Sequence, residues 1–213
     1  MLESSIVLPP RIVRSLEILD FQNALAGRGR GNLEETFRRF IAVLERVGTR
    51  WALVGAHAVN FFARPRATID MDFVVDARKL RVLLDAVRAE FGEIETVDLG
   101  VALRIANLSV DLIRSDNHTL FRLALDLAEE REGVRIPPPE LLVVLKFLAA
   151  VSPWRNVADR KQDEADLLRL VQARGEDLDC AAALGYAERA YPGAERELAA
   201  LLERIDRGEN ISL

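Results

Sequence analysis

Two aspartates one residue apart, Asp70 and Asp72, interrupt the apolar run RATIDMDFVVD (66–76). Without them, Ile69, Met71, Phe73, Val74 and Val75 read as a buried strand. Side chains on a strand alternate faces, so both acids point one way while Met71 and Phe73 point to the core. Two carboxylates that close repel each other, and desolvating them is costly. A divalent cation relieves both costs. Mg²⁺ (or Mn²⁺) suits the pair, as a hard ion held by one or two carboxylates with waters and substrate phosphates. A third acid, Asp111, lies in VDLI within a second strand-like run. Three carboxylates on adjacent strands can hold two metals, one activating an attacking oxygen and one stabilising a leaving phosphate. The plainer reading is an acidic pair at a solvated strand edge. Asp177 and Asp179 repeat the spacing in DLD but open a helix, where residues two apart diverge and acids suit the start. That pair is assigned no chemistry.

Fifteen residues before Asp70, VGAHAV puts Gly55 between a short apolar strand, RWALVG (50–55), and a short helix, AHAVNFFA (56–63). A glycine there lets a phosphate approach the backbone, and the free N–H groups and positive end of the helix favour an anion. Taken alone, Gly55 reads as a tight turn. Together the segments offer a phosphate end and a metal end. His57 sits in the first turn of that helix, where the dipole disfavours protonation. It is read as neutral, in a structural or base-contacting role.

The surrounding elements follow from periodicity. NLEETFRRFIAVLERVG (32–48) is a helix with Asn32 as cap, Glu35 completing a capping box and Gly48 at its end. A second amphipathic helix spans 77–91 and closes at Gly92. VALRIANLSVDLIRS (101–115) reads as two strands around Asn107, with Leu103, Ile105, Leu108, Val110 and Leu112 alternating. Beyond Asn117 the chain turns helical: HTLFRLALDLAEE, with His118 beside its cap, then a short extended EGVRIPPP. A helix follows with Pro139 in its first turn, and three more helices run from Arg155 to the end. The expected class is α+β, a small mixed sheet flanked by helices with a helical C-terminal annex. The expected parts are an extension (1–31), a core (32–117) and a helical region (118–213) packed on that core.

Half of the 213 residues are hydrophobic, enough for a sizeable core. The net charge of −5, from 29 basic and 34 acidic residues, argues against non-specific coating of nucleic acid. It leaves room for a local basic groove, for which Arg28, Arg30, Arg64, Arg66, Arg155, Arg160 and Lys161 are wall candidates, solvated helix faces being the plainer reading. Cys180 is the single cysteine, so no internal disulfide is available. The N-terminal segment lacks the order of a signal peptide and no apolar run reaches spanning length. The expected location is cytoplasmic.

LVGAHAVNFFARPRATIDMDFVV (53–75) resembles the nucleotidyltransferase superfamily with the DNA polymerase β-like fold, whose signature is a Gly-Gly or Gly-Ser turn followed by a strand bearing D-x-D. It looks closest to the minimal bacterial AbiEii-like and related groups; Gly55, Ala58, Arg66, Thr68, Asp70 and Asp72 match. The resemblance implies that Asp70 and Asp72 bind the metals carrying a nucleoside triphosphate, and that Asp111 completes the metal site and activates the acceptor. It implies phosphate contacts at Gly55, Ala56 and Lys146, and nucleotide contacts or loop bracing by Arg66 and Thr68. Lys146 lies in the apolar run LLVVLKFLAA, where a lone lysine also snorkels to the surface. KFLAAVSPWRNVADRKQDEADLLRL is similar to the family's helical segment, in which Asp163 and Asp166 order a helix pair. Two departures are Ala56, where the family has Gly or Ser, and Ala63, where a glycine is usual. The implied activity is metal-dependent transfer of a nucleoside monophosphate from a triphosphate such as ATP to RNA, protein or a small molecule. A toxin–antitoxin or phage-defence setting with a cognate antitoxin is part of the same expectation. The alternative is an inactive relative acting as a binding or partner protein.

Overall fold

The computed structural model describes residues 6–26, 32–209 and 211. Arg28 and Arg30 lie outside these, as do the other residues of 1–5 and 27–31 of the expected 1–31 extension. The chain divides into two compact units, one of residues 1–61 and 65–137, the other of 62–64 and 138–213. The change of unit along the chain thus falls between Pro137 and Pro138, later than residue 117.

The first unit begins with helix α1 (Pro10–Leu25), opened by a proline in its first turn, where the missing N–H is no loss. Helix α2 (Leu33–Val47) buries Phe37, Phe40, Ile41, Val43 and Leu44, the stripe its spacing requires. Gly48 ends it in the left-handed conformation, φ 61°. The expected Asn32 capping box is not formed. Asn32 has φ −94° and ψ 50° and makes no side-chain cap; instead its carbonyl accepts from the Thr36 hydroxyl at 3.0 Å.

Strand β1 (Trp51–Leu53) leads into helix α3 (Gly55–Phe62), then strand β2 (Met71–Val75). Asp76 caps a short 3₁₀ turn, accepting from the Arg78 N–H at 3.0 Å, and helix α4 (Leu80–Phe91) follows. Strands β3 (Thr96–Asp98), β4 (Ala102–Ile105) and β5 (Val110–Arg114) complete a sheet in the order β1-β2-β5-β4-β3. Only the central β2–β5 pair is parallel, so the sheet is mixed. Its core face is aromatic. Phe73 of β2 meets Phe40 at 5.3 Å, Phe37 at 5.8 Å and Trp51 at 5.8 Å between ring centroids. Helices α2 and α4 are tied by Glu90, which accepts from Arg39 and Arg46 at 3.0 Å each.

Helix α5 (Thr119–Leu127) is capped by His118, whose Nδ1 accepts from the Leu120 N–H at 3.1 Å. The helical reading to Glu130 ran too far, because the chain is extended at Ala128. It enters a hairpin of β6 (Glu129–Arg131) and β7 (Val134–Ile136). Glu132 and Gly133 both have positive φ, as a two-residue hairpin turn demands. Strand β3 was not foreseen either. All three of its residues are exposed, so it carries no apolar alternation.

The second unit holds helices α6 (Pro139–Val151), α7 (Val157–Arg174), α8 (Cys180–Ala187) and α9 (Ala194–Asp206), as the periodicity indicated. Asp179 caps α8 by accepting from the Ala182 N–H at 2.9 Å, which accounts for the DLD pair without chemistry. The architecture is α+β, as expected. Among the described residues no helix is long and apolar enough to cross a membrane.

Candidate metal and nucleotide site

The register of the sheet assembles the site. Asp72 of β2 lies directly beside Asp111 of β5, and Asp111 directly beside Arg104 of β4. Side chains opposite one another in a ladder share a face, so Asp72, Asp111 and Arg104 stand in a row on the side away from Phe73. Asp70, two residues before Asp72, is exposed at the approach to β2, with its Oδ2 3.9 Å from Nη2 of Arg104 in that row. Their three core-side neighbours, Met71, Phe73 and Leu112, are fully buried. Alternation in the sequence therefore reports the faces correctly.

Gly55 is required by this face as much as by its turn. It has φ +63°, and a Cβ placed on it would lie 2.0 Å from Oδ2 of Asp72. The carboxylate rests on the first residue of α3, where the helix N-terminus favours a negative group. The strand-turn-helix and the acid strand are thus fitted to each other through a residue without a side chain. Ala56 is buried.

Arg104 is the residue sequence reading missed. Its Nε and Nη2 donate to the two oxygens of Asp111 at 2.7 and 2.6 Å, a bidentate fork, and Nη2 lies 3.9 Å from Asp70. The bond to Asp111, aided by the charges of Asp70 and Asp72, holds the guanidinium above its ordinary pKa. Asp70, Asp72 and Asp111 are the carboxylates expected to share a metal. They share the face, but among the described residues no three acidic, histidine or cysteine side chains gather closely enough to hold an ion. Both oxygens of Asp111 accept from the fork of Arg104. The donor set still fits Mg²⁺, which needs only one or two carboxylates beside water and phosphate.

The segment leading into β2 is braced from inside. Asn60, fully buried on α3, accepts from the Arg66 N–H at 3.1 Å and donates to the Arg66 carbonyl at 2.8 Å. The Arg66 guanidinium donates to the Ala67 carbonyl at 2.9 Å, which favours bracing for this residue. Thr68 is half-buried in the same segment. His57 is fully buried, 3.3 Å from the Ser15 hydroxyl and edge-on to Phe37 at 5.2 Å. Burial, and secondarily the charge of Arg66, lowers its pKa to about 3. It is a neutral structural histidine.

In the second unit, Lys146 of α6 donates to Asp163 and Asp166 of α7, both at 2.8 Å. Arg155 reaches the other oxygen of Asp163 at 3.0 Å, and Arg169 the other oxygen of Asp166 at 2.7 Å. The two acids hold the lysine pKa above its usual value against the opposing effect of burial. Lys161 likewise pairs with Glu164 at 2.8 Å. Arg155 and Lys161, offered as groove walls, are thus engaged within their own unit.

No family model and no curated protein matches the sequence. Among solved structures, the chain is similar to an antigenic nucleotidyltransferase-like protein from Paracoccidioides brasiliensis, at 15% identity over 76% of this chain and 88% of that one, TM-score 0.47. It is similar to the antibiotic-resistance factor ANT(2'')-Ia, at 15% identity over 82% and 97%, TM-score 0.48. A third is terminal uridylyl transferase 4 from Trypanosoma brucei with bound GTP, at 13% identity over 81% and 75%, TM-score 0.31. None reaches a TM-score of 0.5, so the functional reading rests on this chain's own geometry.

Proposed function

We propose that the chain is a metal-dependent nucleotidyltransferase, moving a nucleoside monophosphate from a triphosphate to an acceptor. The observation that carries the reading is the row formed by register: Asp72 beside Asp111 on parallel strands, Asp70 on the same face, and Gly55 fitted against Asp72 at a helix start. In this reading Asp70 and Asp72 hold Mg²⁺ or Mn²⁺, which when bound supplies charge neutralisation at the phosphates. Gly55 and Ala56 offer backbone N–H groups to phosphate at the start of α3. Asp111 accepts the proton of the attacking hydroxyl once Arg104 no longer occupies it. Asn60 and Arg66 keep the approach to β2 in place, and Thr68 of the same segment is assigned a nucleotide contact in this reading. Lys146 is left out of the site, since two carboxylates at 2.8 Å favour its role in joining α6 to α7.

A second reading has one observation in its favour. The fork of Arg104 on Asp111 is what a non-catalytic binding protein would use to neutralise a face no longer charged with metal. Incubating the protein with each α-labelled triphosphate, Mg²⁺ and a cell extract separates the two. Label appearing on RNA, protein or a small molecule, and absent with Asp72→Asn, supports transfer and names the acceptor class. Nucleotide binding without label on any acceptor supports the binding protein. A toxin–antitoxin setting would show as suppression of that labelling by a co-expressed neighbour protein.

A further inference from the structure

We propose that Arg104 is a resident counter-cation of Asp111 on the acidic face, and that a divalent metal engaging Asp111 must displace its guanidinium. The inference rests on the reading of this face as a metal site. Both oxygens of Asp111 already accept charge-assisted bonds, at 2.7 and 2.6 Å, from one planar fork. A cation approaching that carboxylate meets a fixed positive charge at contact distance, and the same charge lies 3.9 Å from Asp70. Arg104 and the metal therefore compete for the same electrostatic position.

Exposure says which partner moves. The Asp111 side chain is 11% exposed and is held in the centre of the sheet, whereas that of Arg104 is 39% exposed on a strand next to the edge. Asp111 has nowhere to turn; the long side chain of Arg104 has a path into solvent. The arrangement keeps the nearly buried Asp111 paired before metal arrives, and delivers it only when the face is loaded. Arg104 is thus a positioning residue acting through Asp111.

The test is titration of Mn²⁺ alone into the parent, Arg104→Gln, Arg104→Lys and Asp72→Asn, read by calorimetry and by the spectroscopic signal of free Mn²⁺. Removing an opposite charge at contact distance commonly changes a carboxylate's affinity for a competing cation by about tenfold or more. Arg104→Gln should therefore bind Mn²⁺ about tenfold more tightly than the parent. Arg104→Lys, which keeps a charge but loses the fork, should show a smaller gain, and Asp72→Asn in the Arg104→Gln background should abolish it. If Arg104→Gln fails to fold, the Lys variant decides: tighter binding supports the displacement, unchanged binding overturns it. Equal or weaker binding by Arg104→Gln, with Asp72→Asn still weakening the parent, overturns the inference and leaves the metal site standing. Absence of Mn²⁺ binding in every protein overturns both.

Discussion

In the second unit, Lys146, Arg155 and Arg169 meet all four carboxylate oxygens of Asp163 and Asp166 at 2.7–3.0 Å, with Asp166 wholly shielded from solvent. In the first unit, three acids share one sheet face, and the fork of Arg104 is spent on Asp111 while reaching Asp70 only at 3.9 Å. Both clusters mix the same chemical groups. The buried one has a cation within ion-pair distance of every carboxylate oxygen, although Asp163 Oδ2 makes no hydrogen bond, and it joins two helices. The other is more open, richer in acid, and seated against a backbone that leaves room for nothing but Gly55. Burial between two helices fits a structural network, whereas an exposed acidic residue on the approach to a glycine turn at a helix start fits a site for a cation and an anion from outside.

The comparison breaks first at Lys146. Lys146→Met leaves Asp163 and Asp166 each with one arginine, so the loss should lie at or below the ~3–5 kcal/mol that stranding a buried charge costs. Chemical denaturation should show a loss of that size. A change near zero would mean the network is not structural and would reopen a phosphate role for the lysine.

Gly55→Ala tests how tightly turn and acid are fitted. The added Cβ meets Asp72 at 2.0 Å and the residue must keep φ +63°. Strained backbone of this kind costs about 1–3 kcal/mol, and the displaced Asp72 should remove the response to metal and nucleotide. A stable variant with a full response would mean that the close approach is incidental.

His57 sharpens the contrast through pH. Its pKa falls from 6.5 to about 3 on folding, so the unfolded chain binds more protons between those values. Its contribution is present above pH 6.5 and is lost as pH falls toward 3, at about 1.4 kcal/mol per pH unit. Between pH 6.5 and about 5, before most carboxylates titrate, His57→Leu should flatten the decline of stability with acid. An identical slope in parent and variant would show that the histidine is not buried neutral.

The face itself was legible because alternation is local. Asp70, Asp72 and Asp111 each break an apolar run, and each run assigns its own acids to the side opposite the core. Arg104 obeys the same rule between Leu103 and Ile105, yet it was read only as part of an apolar strand. Its meaning depends on cross-strand register with Asp111, set by the turn at 106–109, where Ser109 adopts φ 55°. No local period reports that pairing. Strand β3 escaped for another reason, since an exposed edge needs no buried stripe. The Asn32 cap failed because residue identity permits a cap, while the chain's entry angle decides whether the side chain can turn back.

Asp111→Asn has a smaller effect on stability and a sharper one on function. It weakens a charge-assisted fork to a partner 39% exposed, so a loss of about 1 kcal/mol is expected after solvent screening. Nucleotide binding should persist through Asp70 and Asp72 while transfer is lost. Transfer at the parent rate would remove Asp111 from the chemistry.

The smallest stability change is expected for Asp70→Asn and Asp72→Asn, which keep the side-chain volume and ease the crowding of like charge on the face. Their thermal response to ligand is the most direct test of the central claim. A ligand that binds only the folded state stabilises it by ~2.7 kcal/mol at a hundredfold excess over its dissociation constant. Mg²⁺ or Mn²⁺ with a nucleoside triphosphate should raise the parent's melting temperature accordingly, and neither variant should show the full shift. No shift in the parent at millimolar metal and nucleotide, or the same shift in both variants, would contradict a metal and nucleotide site on this face.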